Sequence, residues 1–564
     1  MVRTRFLEQK NSFENKIFSG FVNEIGLESE QEYTFKNCVF ESSFILEDLT
    51  IINKLSFHNC TFRQYSKIKS CNLRVLEFSE CVFETEFNLQ SNESLILDIN
   101  VLSGPKLFIN GIYQNLNIRE CILDELKLKD INTIYTPFDS ALEFKNNIIE
   151  KVDFASTSTY SNIILTNGDY KEFYFNGEFN NPIAFKGNNL IIEYLLFESS
   201  TFKARIDFDE GFFEYVNFYR SNFQGLIWIY DFDLIQNIRT KEIEIKNLSL
   251  HSNSFEKSVT VKISKLSKLL ISDNNFKQIF NFTNSLDNSE NERTDISIDG
   301  SNLGSLVFEK VNADLDNRSI NFGNIYFKDV KFRHLILIDF QNNGVISFSN
   351  IKIAELFVIQ NSNVGKAEFI NTDFKNFEEI IIANSNISSM IFSEFPYKIT
   401  SFTKNPRIGY GIKNKKDNNA NLRSVYNQLK KVAITMGDID TGNKYQSLEY
   451  KHLFRQKGFL NIDKILLGLN YLSNDNGYSW FRGIIFTMTI FVLSFYSFTF
   501  FSGDSNTFSN FIIYMTSFPK LIIKDSDSIN WKLELVKWVS RIFIGYGLYQ
   551  TIAAFRKYGK GAKY

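Results

Sequence analysis

The sequence is poor in the residues that build metal sites, disulfide frameworks and rigid loops. Its 564 residues include 4 His, 5 Cys and 6 Pro. His58, His251, His334 and His452 lie far apart, so neither a His-based metal or catalytic centre nor a cofactor is expected. Cys38, Cys60, Cys71, Cys81 and Cys121 fall in the first quarter and form no Cys-x-x-Cys pair. An odd number without metal spacing predicts reduced, buried thiols in a cytosolic compartment. The opening MVRTRFLEQKNSFENK has no apolar core, so a secretory signal is not expected. The formal net charge is −2, which removes any global electrostatic argument for nucleic acid or acidic partners.

What is present is phenylalanine, 59 residues of it, and it recurs. FKNCVF at Phe35, FHNCTF at Phe57 and FSECVF at Phe78 follow at steps of 22 and 21 residues. FESSTF and FYRSNF (Phe197, Phe218), LHSNSF and ISDNNF (Leu250, Ile271), then FKDVKF, FSNIKI and FINTDF (Phe327, Phe348, Phe369) keep a step of 21. The unit is apolar, two variable residues, a small polar residue or Cys, one variable residue, apolar. Short alternating strands with a small residue near each corner predict a mainly β fold, a right-handed parallel β-helix. About 17 coils at ~4.8 Å each would stack equivalent Phe residues in columns, with Asn or Ser at the corners. Irregular spacing near 100–140, 150–190 and 280–325 predicts insertions, clearest at Asn281–Asp295. The expected domains are an N-terminal cap (1–30), the β-helix (31–400), a basic linker and helical hairpin (401–476) and a transmembrane pore module (477–564).

This repeat resembles that of pentapeptide-repeat proteins, although the inward Ala of their signature is mostly missing, which implies a wider or less regular cross-section. β-Helices also host polysaccharide lyases and hydrolases. No dense carboxylate cluster paired with Lys or Arg stands out on neighbouring coils, so an enzyme is not expected and the rod reads as scaffold or sensor.

After SFTKNPRIGYGIKNKKDNNA the pattern turns helical. Leu422, Val425, Leu429 and Val432/Ala433 mark an amphipathic face, Gly437-Asp438 breaks it, and a second helix runs through Tyr445, Leu448, Tyr450 and Phe454. Lys413, Lys415, Lys416, Arg423, Lys430 and Lys431 make this connector basic. They are the candidate contacts for a phosphate group or nucleic acid, against the plainer reading of a solvated linker and helix face. GDIDTGNKY (Gly437–Tyr445) is not a phosphate loop, because it lacks the Gly-Lys-Ser/Thr order and lies between helices.

Gly483–Phe501 is uncharged and Leu535–Phe555 nearly so, giving two expected spans, at ~482–501 and ~535–556. Basic residues at Lys464, Arg482, Arg556, Lys557, Lys560 and Lys563 put both ends in the cytoplasm by the positive-inside rule. Between the spans, SNFIIYMTSFP (Ser509–Pro519) is too short to cross a bilayer and too apolar for a solvated loop. It fits a re-entrant segment (~507–519), or an interfacial helix in a simple anchor. The re-entrant reading makes Met515, Thr516, Ser517 and Phe518 the candidate filter. On the second span Ser540, Gly547, Gln550, Thr551 and Ala554 could line a pore; small-residue helix packing explains Gly547 and Ala554 equally well. Arg541 could point outward, pair with an acid, or sit in the pore and favour anions.

Tyr426, Leu429, Lys430, Gly437, Asp438, Tyr445 and Glu449, with GYSWFRG (Gly477–Gly483), resemble the segment joining repeats to the channel module in bacterial pentapeptide-repeat channel proteins. The resemblance implies a homo-oligomer, expected as a tetramer, in the bacterial inner membrane. The filter Thr-Val-Gly-Tyr-Gly of potassium channels is absent, so strong potassium selectivity is not expected. The architecture also resembles the channel subunits of the Hailong anti-phage system, a family held shut by DNA oligomers from a partner nucleotidyltransferase. The rival expectations are a membrane-tethered scaffold without a pore, a DNA-mimicking repeat protein and an exported β-helix enzyme.

Overall fold

In the computed structural model the described residues are 11–20, 30–49, 52–132, 141–159, 162–230, 232–233, 238–239, 243–263, 265–283, 294–309, 311–372, 374, 378–392, 395–401, 415–458, 461–502, 509, 511–512 and 531–559. The chain is mainly β: a parallel β-solenoid of about 15 turns, about 21 residues each, followed by C-terminal helices. It divides into two compact units, Met1–Leu356 with Glu368–Asn376, and Phe357–Ala367 with Phe377–Tyr564.

In the first unit each feature of the repeat has a physical cause. The residue two after the leading apolar position turns the corner in the left-handed region, at Asn37 (φ 53), Asn59 (φ 52) and Asp273 (φ 53). Asn and Asp tolerate this conformation better than other side chains, which explains their abundance. The corner amides stack, with Asn37 Nδ2 donating to Asn15 Oδ1 at 2.9 Å and Asn59 Nδ2 to Asn37 Oδ1 at 2.8 Å. One residue later the small polar side chain turns inward and donates to the carbonyl of the apolar residue one coil back. Cys60 Sγ reaches Phe35 O at 3.5 Å, Ser221 Oγ reaches Phe197 O at 3.2 Å, and Asn253 Nδ2 reaches Phe218 O at 2.7 Å. Cys, Ser and Asn therefore interchange at this position because each is a short donor.

The leading Phe residues stack in columns. Phe175, Phe197 and Phe218 are 5.0 and 4.7 Å apart with nearly parallel rings, as are Phe327, Phe348 and Phe369 at 5.0 and 4.6 Å. These distances follow the strand spacing, so parallel pairing itself sets the stack. All five cysteines are free and buried, as expected of reduced thiols. Burial pushes the Cys71 thiol up to about 11 and that of Cys121 up to about 12.

Two expectations need correction. Ser12–Glu14 and Ile17–Phe18 already pair with the next coil, and Phe13 stacks on Phe35 at 4.8 Å, so the solenoid begins inside the expected 1–30 cap. The turns are also fewer than the ~17 that even division suggests, because some coils carry extra residues. Phe218 pairs with Leu250, 32 positions on, across a small antiparallel pair at Phe232–Asp233 and Ile238–Arg239. Ile118 pairs with Phe144, 26 positions on. Most of the expected insertion at Asn281–Asp295 lies outside the described residues.

The second unit holds the strands Glu379–Ala383 and Ile391–Phe392 and five described helices: α1 (Lys415–Thr435), α2 (Ile439–Gln456), α3 (Ile462–Asn474), α4 (Trp480–Ser502) and α5 (Trp531–Gly559). Helix α1 covers the last coil with two side-chain amides seven residues apart. Asn421 donates to Ile382 O at 2.6 Å and accepts from Asn384 N at 2.7 Å. Gln428 accepts from Ile387 N at 2.6 Å and donates to Ser385 O at 3.2 Å.

Candidate connector and membrane site

The amphipathic face of α1 is built as expected, with Leu422, Val425, Leu429, Val432 and Ala433 buried. Gly437 (φ 83) ends the helix in the left-handed conformation that glycine adopts without a Cβ penalty. Asp438 then caps α2, its carboxylate accepting from Thr441 N at 3.0 Å. An acidic side chain therefore occupies this helix N-terminus, where a phosphate-binding loop would hold its anion.

The remaining connector motif residues also have structural work. The Tyr426 hydroxyl donates to Tyr397 O at 2.9 Å and that of Tyr445 to Phe395 O at 2.7 Å. Lys430 pairs with Glu449 at 2.7 Å. His452 stacks on Tyr426, and its Nδ1 lies 3.0 Å from Asn419 Oδ1. Burial, helped by Arg455 and Lys451, pushes the imidazole down to about 4, so it is neutral at pH 7.

The basic candidates separate in the structure. Lys413 lies outside the described residues, and Lys415 and Lys416 open α1. Lys430 is committed to Glu449, while Arg423 and Lys431 are exposed. Arg423 lines a cleft of ≈ 720 Å³ between α1, α2 and α3, together with Asp417, Gln456, Lys457, Asp463 and Asn470. Arg423 and Lys457 share the cleft with Asp417 and Asp463, and Lys457 contacts Asp463 at 3.0 Å. The cleft is therefore mixed in charge. Among the described residues no group of three or more His, Cys, Asp or Glu side chains could hold a metal ion.

One described helix is long and apolar enough to cross a membrane, Trp480–Phe501, with mean hydropathy 2.0. Helix α5 is not among the helices that meet that measure; Lys532, Glu534, Lys537 and Arg541 sit in its first half, and Ile542–Phe555 is uncharged. The two helices pack closely through small residues. A Cβ on Gly547 would meet Thr487 Oγ1 at 2.5 Å, and one on Gly483 would meet Thr551 Oγ1 at 2.7 Å. The pair buries Phe491, Phe495 and Ile544 together with Thr487, Ser494, Thr499 and Ser540, and also Lys537, which is ion-paired to Glu534. Most of its large apolar residues, among them Leu493, Phe500, Trp538, Ile542, Tyr549 and Ile552, point outward.

Ser540, Gly547 and Ala554 are thus buried in the single chain, and Thr551 packs against Gly483. Gln550 is tied to α3: its Nε2 donates to Asn470 Oδ1 at 2.8 Å, and its Oε1 accepts from Asn474 Nδ2 at 2.7 Å. The Tyr546 hydroxyl donates to the same Asn470 oxygen at 2.5 Å. Arg541 is exposed. The candidate filter, Met515, Thr516, Ser517 and Phe518, lies outside the described residues; of its segment, Phe511 meets the ring of Phe495 at 5.3 Å.

Sequence reading missed helix α3 and its two asparagines. The ILLGLNYL run at Ile465–Leu472 was the available signal. Comparison of the chain with protein-family models, with curated proteins and with solved structures returned no match.

Proposed function

We propose that the chain is a membrane effector: α4 and α5 form a two-helix hairpin in the bacterial inner membrane, and copies of the chain assemble, as a tetramer, around an ion-conducting pore. The solenoid and α1–α3 stand on the cytoplasmic side with both chain ends and relay a ligand signal to the pore. The observation that carries this reading is the inverted polarity of the α4–α5 pair. Hydroxyl and small side chains, with Phe491, Phe495 and Ile544, fill the contact, while most of the bulky apolar side chains face outward, an arrangement that water penalises and lipid accepts. Thr487 Oγ1 donates to Gly483 O at 2.8 Å and Thr551 Oγ1 to Gly547 O at 2.9 Å, so the buried hydroxyls are satisfied within their own helices. The resemblance of the architecture and basic connector to the Hailong channel subunits supports a nucleotide or DNA-oligomer signal and an anti-phage role. Exposed Arg423 and Lys431 are the described contacts left for such a ligand.

A membrane-tethered solenoid without a pore is the second reading. It is favoured by the commitment of Gly547 and Thr551 to α4 and of Gln550 to α3. Single-channel recording of the purified full chain in planar bilayers, with and without short single-stranded oligonucleotides, separates the two. Discrete currents that Thr516→Ala alters support the pore, and a response to oligonucleotide that Arg423→Glu abolishes supports the signal. Silence from folded, inserted protein supports the tether.

A further inference from the structure

Helix α3 is inverted in the same sense as the α4–α5 pair. Its apolar residues recur at Ile462, Ile465, Leu469 and Leu472, one stripe at three- and four-residue steps. That stripe faces away from the protein: Ile462 is 73%, Ile465 60% and Leu472 64% exposed. The inward face is polar, with Ser473 and Asn474 buried and Asn470 and Asn474 bonded to Tyr546 and Gln550. At 13 residues α3 is about 20 Å long, too short to cross a bilayer.

The junction to α4 is held firmly. Asp475 caps α3 in the left-handed conformation (φ 52, ψ 48), and Gly477 N donates to Asn474 Oδ1 at 2.7 Å. Asp475 also accepts from the Ser447 hydroxyl of α2 at 2.9 Å and faces Arg482 of α4 at 3.5 Å. Eight residues beyond Leu472, α4 opens with exposed Trp480 and Phe481, amphipathic and aromatic rings of the kind that sit at headgroup level. Trp480 stacks on Phe555 near the end of α5 at 4.9 Å, so both helix ends share this aromatic level.

We infer that the outward stripe of α3 lies on the lipid surface, sunk about 5–10 Å into the boundary between headgroups and acyl chains. The inference rests on the placement of α4 in a bilayer. Its occupant is lipid, because the stripe ends eight residues before the exposed aromatic pair that opens the one described helix apolar enough to cross a membrane. The asparagine face of α3 then links the cytoplasmic helices to α5 at the membrane border.

The test uses the full chain in liposomes, carrying single nitroxide labels at Ile465→Cys, Leu472→Cys, Val492→Cys and Lys431→Cys. The five native cysteines are buried, so the label goes to the introduced site. Collision rates with oxygen and with a neutral nickel chelate report depth. The expected result is a nickel rate at residues 465 and 472 several-fold below that at 431, and an oxygen rate between those at 431 and 492. Residues 465 and 472 as water-exposed as 431, with 492 deep in lipid, would overturn this inference and leave the membrane reading standing. Water exposure at 492 as well would overturn both. Loss of both collision rates at 465 and 472, with spin–spin broadening, would assign the stripe to a second copy of the chain and overturn the lipid assignment.

Discussion

The solenoid and the α3–α5 helices use similar residues with opposite sense. In the solenoid Phe is inside, and charge is outside, paired from one coil to the next as in Lys277–Glu256 (2.8 Å) and Lys265–Glu244 (3.2 Å). In the C-terminal helices Thr, Ser, Asn and even Lys537 are inside beside Phe491, Phe495 and Ile544, while most of the large apolar and aromatic residues, such as Phe500, Trp538 and Tyr549, are outside. On the membrane reading proposed above, the two parts have different surroundings. Burying aromatic area stabilises a fold only where the alternative is water; where the alternative is hydrocarbon, close contact and satisfied polar groups hold helices together.

The sharpest way to break this comparison is to remove a ring from each side. Phe197→Ala takes out the middle of a stack between Phe175 and Phe218 and should cost about 3–5 kcal/mol. Phe500→Ala, at an exposed position of α4, should leave the denaturation midpoint in detergent unchanged. Equal losses by chemical denaturation would mean that Phe500 is buried after all. A smaller effect distinguishes two glycines of α5. Gly547→Leu forces atoms into Thr487 and should destabilise the helix pair by about 1–3 kcal/mol. Gly545→Leu meets open space and should be nearly silent in the same thermal melt.

The connector adds a pH dependence. His452 is held near 4 when folded, against an ordinary 6.5, so the unfolded chain binds more protons between those values. Connector stability should be complete above about pH 6.5 and fall as pH drops toward about 4. A His452→Gln variant should flatten the slope of melting temperature against pH over that window. The smallest effect is chemical: Cys71 and Cys121, held up near 11 and 12 by burial, should resist alkylation at pH 8 until the solenoid unfolds. Labelling of native protein, followed by mass spectrometry, checks this.

The solenoid was legible because its grammar is local and repeated. Phe, a corner Asn and a short donor recur in order, and each coil states the rule again. The first copy, FENKIF at Phe13, follows the same rule with Asn15 at the corner, but its donor position holds Lys16, which hides it. The C-terminal end was harder to read. The apolar stripe of α3 has a clear period, yet periodicity marks a face without saying whether protein or another phase covers it. Asn470 and Asn474 meet Gln550 across 80 and 76 positions, and no local pattern announces a pair of amides so far apart. Gly547 could be read as pore lining or as packing, and only the 2.5 Å at which a Cβ there would meet Thr487 Oγ1 shows how closely α4 lies against it.

The two amides of α1 have a consequence for assembly. A parallel solenoid ends in a row of unused peptide donors and acceptors, an edge on which the end of another chain could continue the coil and seed a fibre. Asn421 and Gln428 present to that edge what one more strand would offer, a donor and an acceptor at each of two points. They act as a counterfeit rung. The coil stops at a fixed length at this end, its last peptide groups satisfied within the same chain.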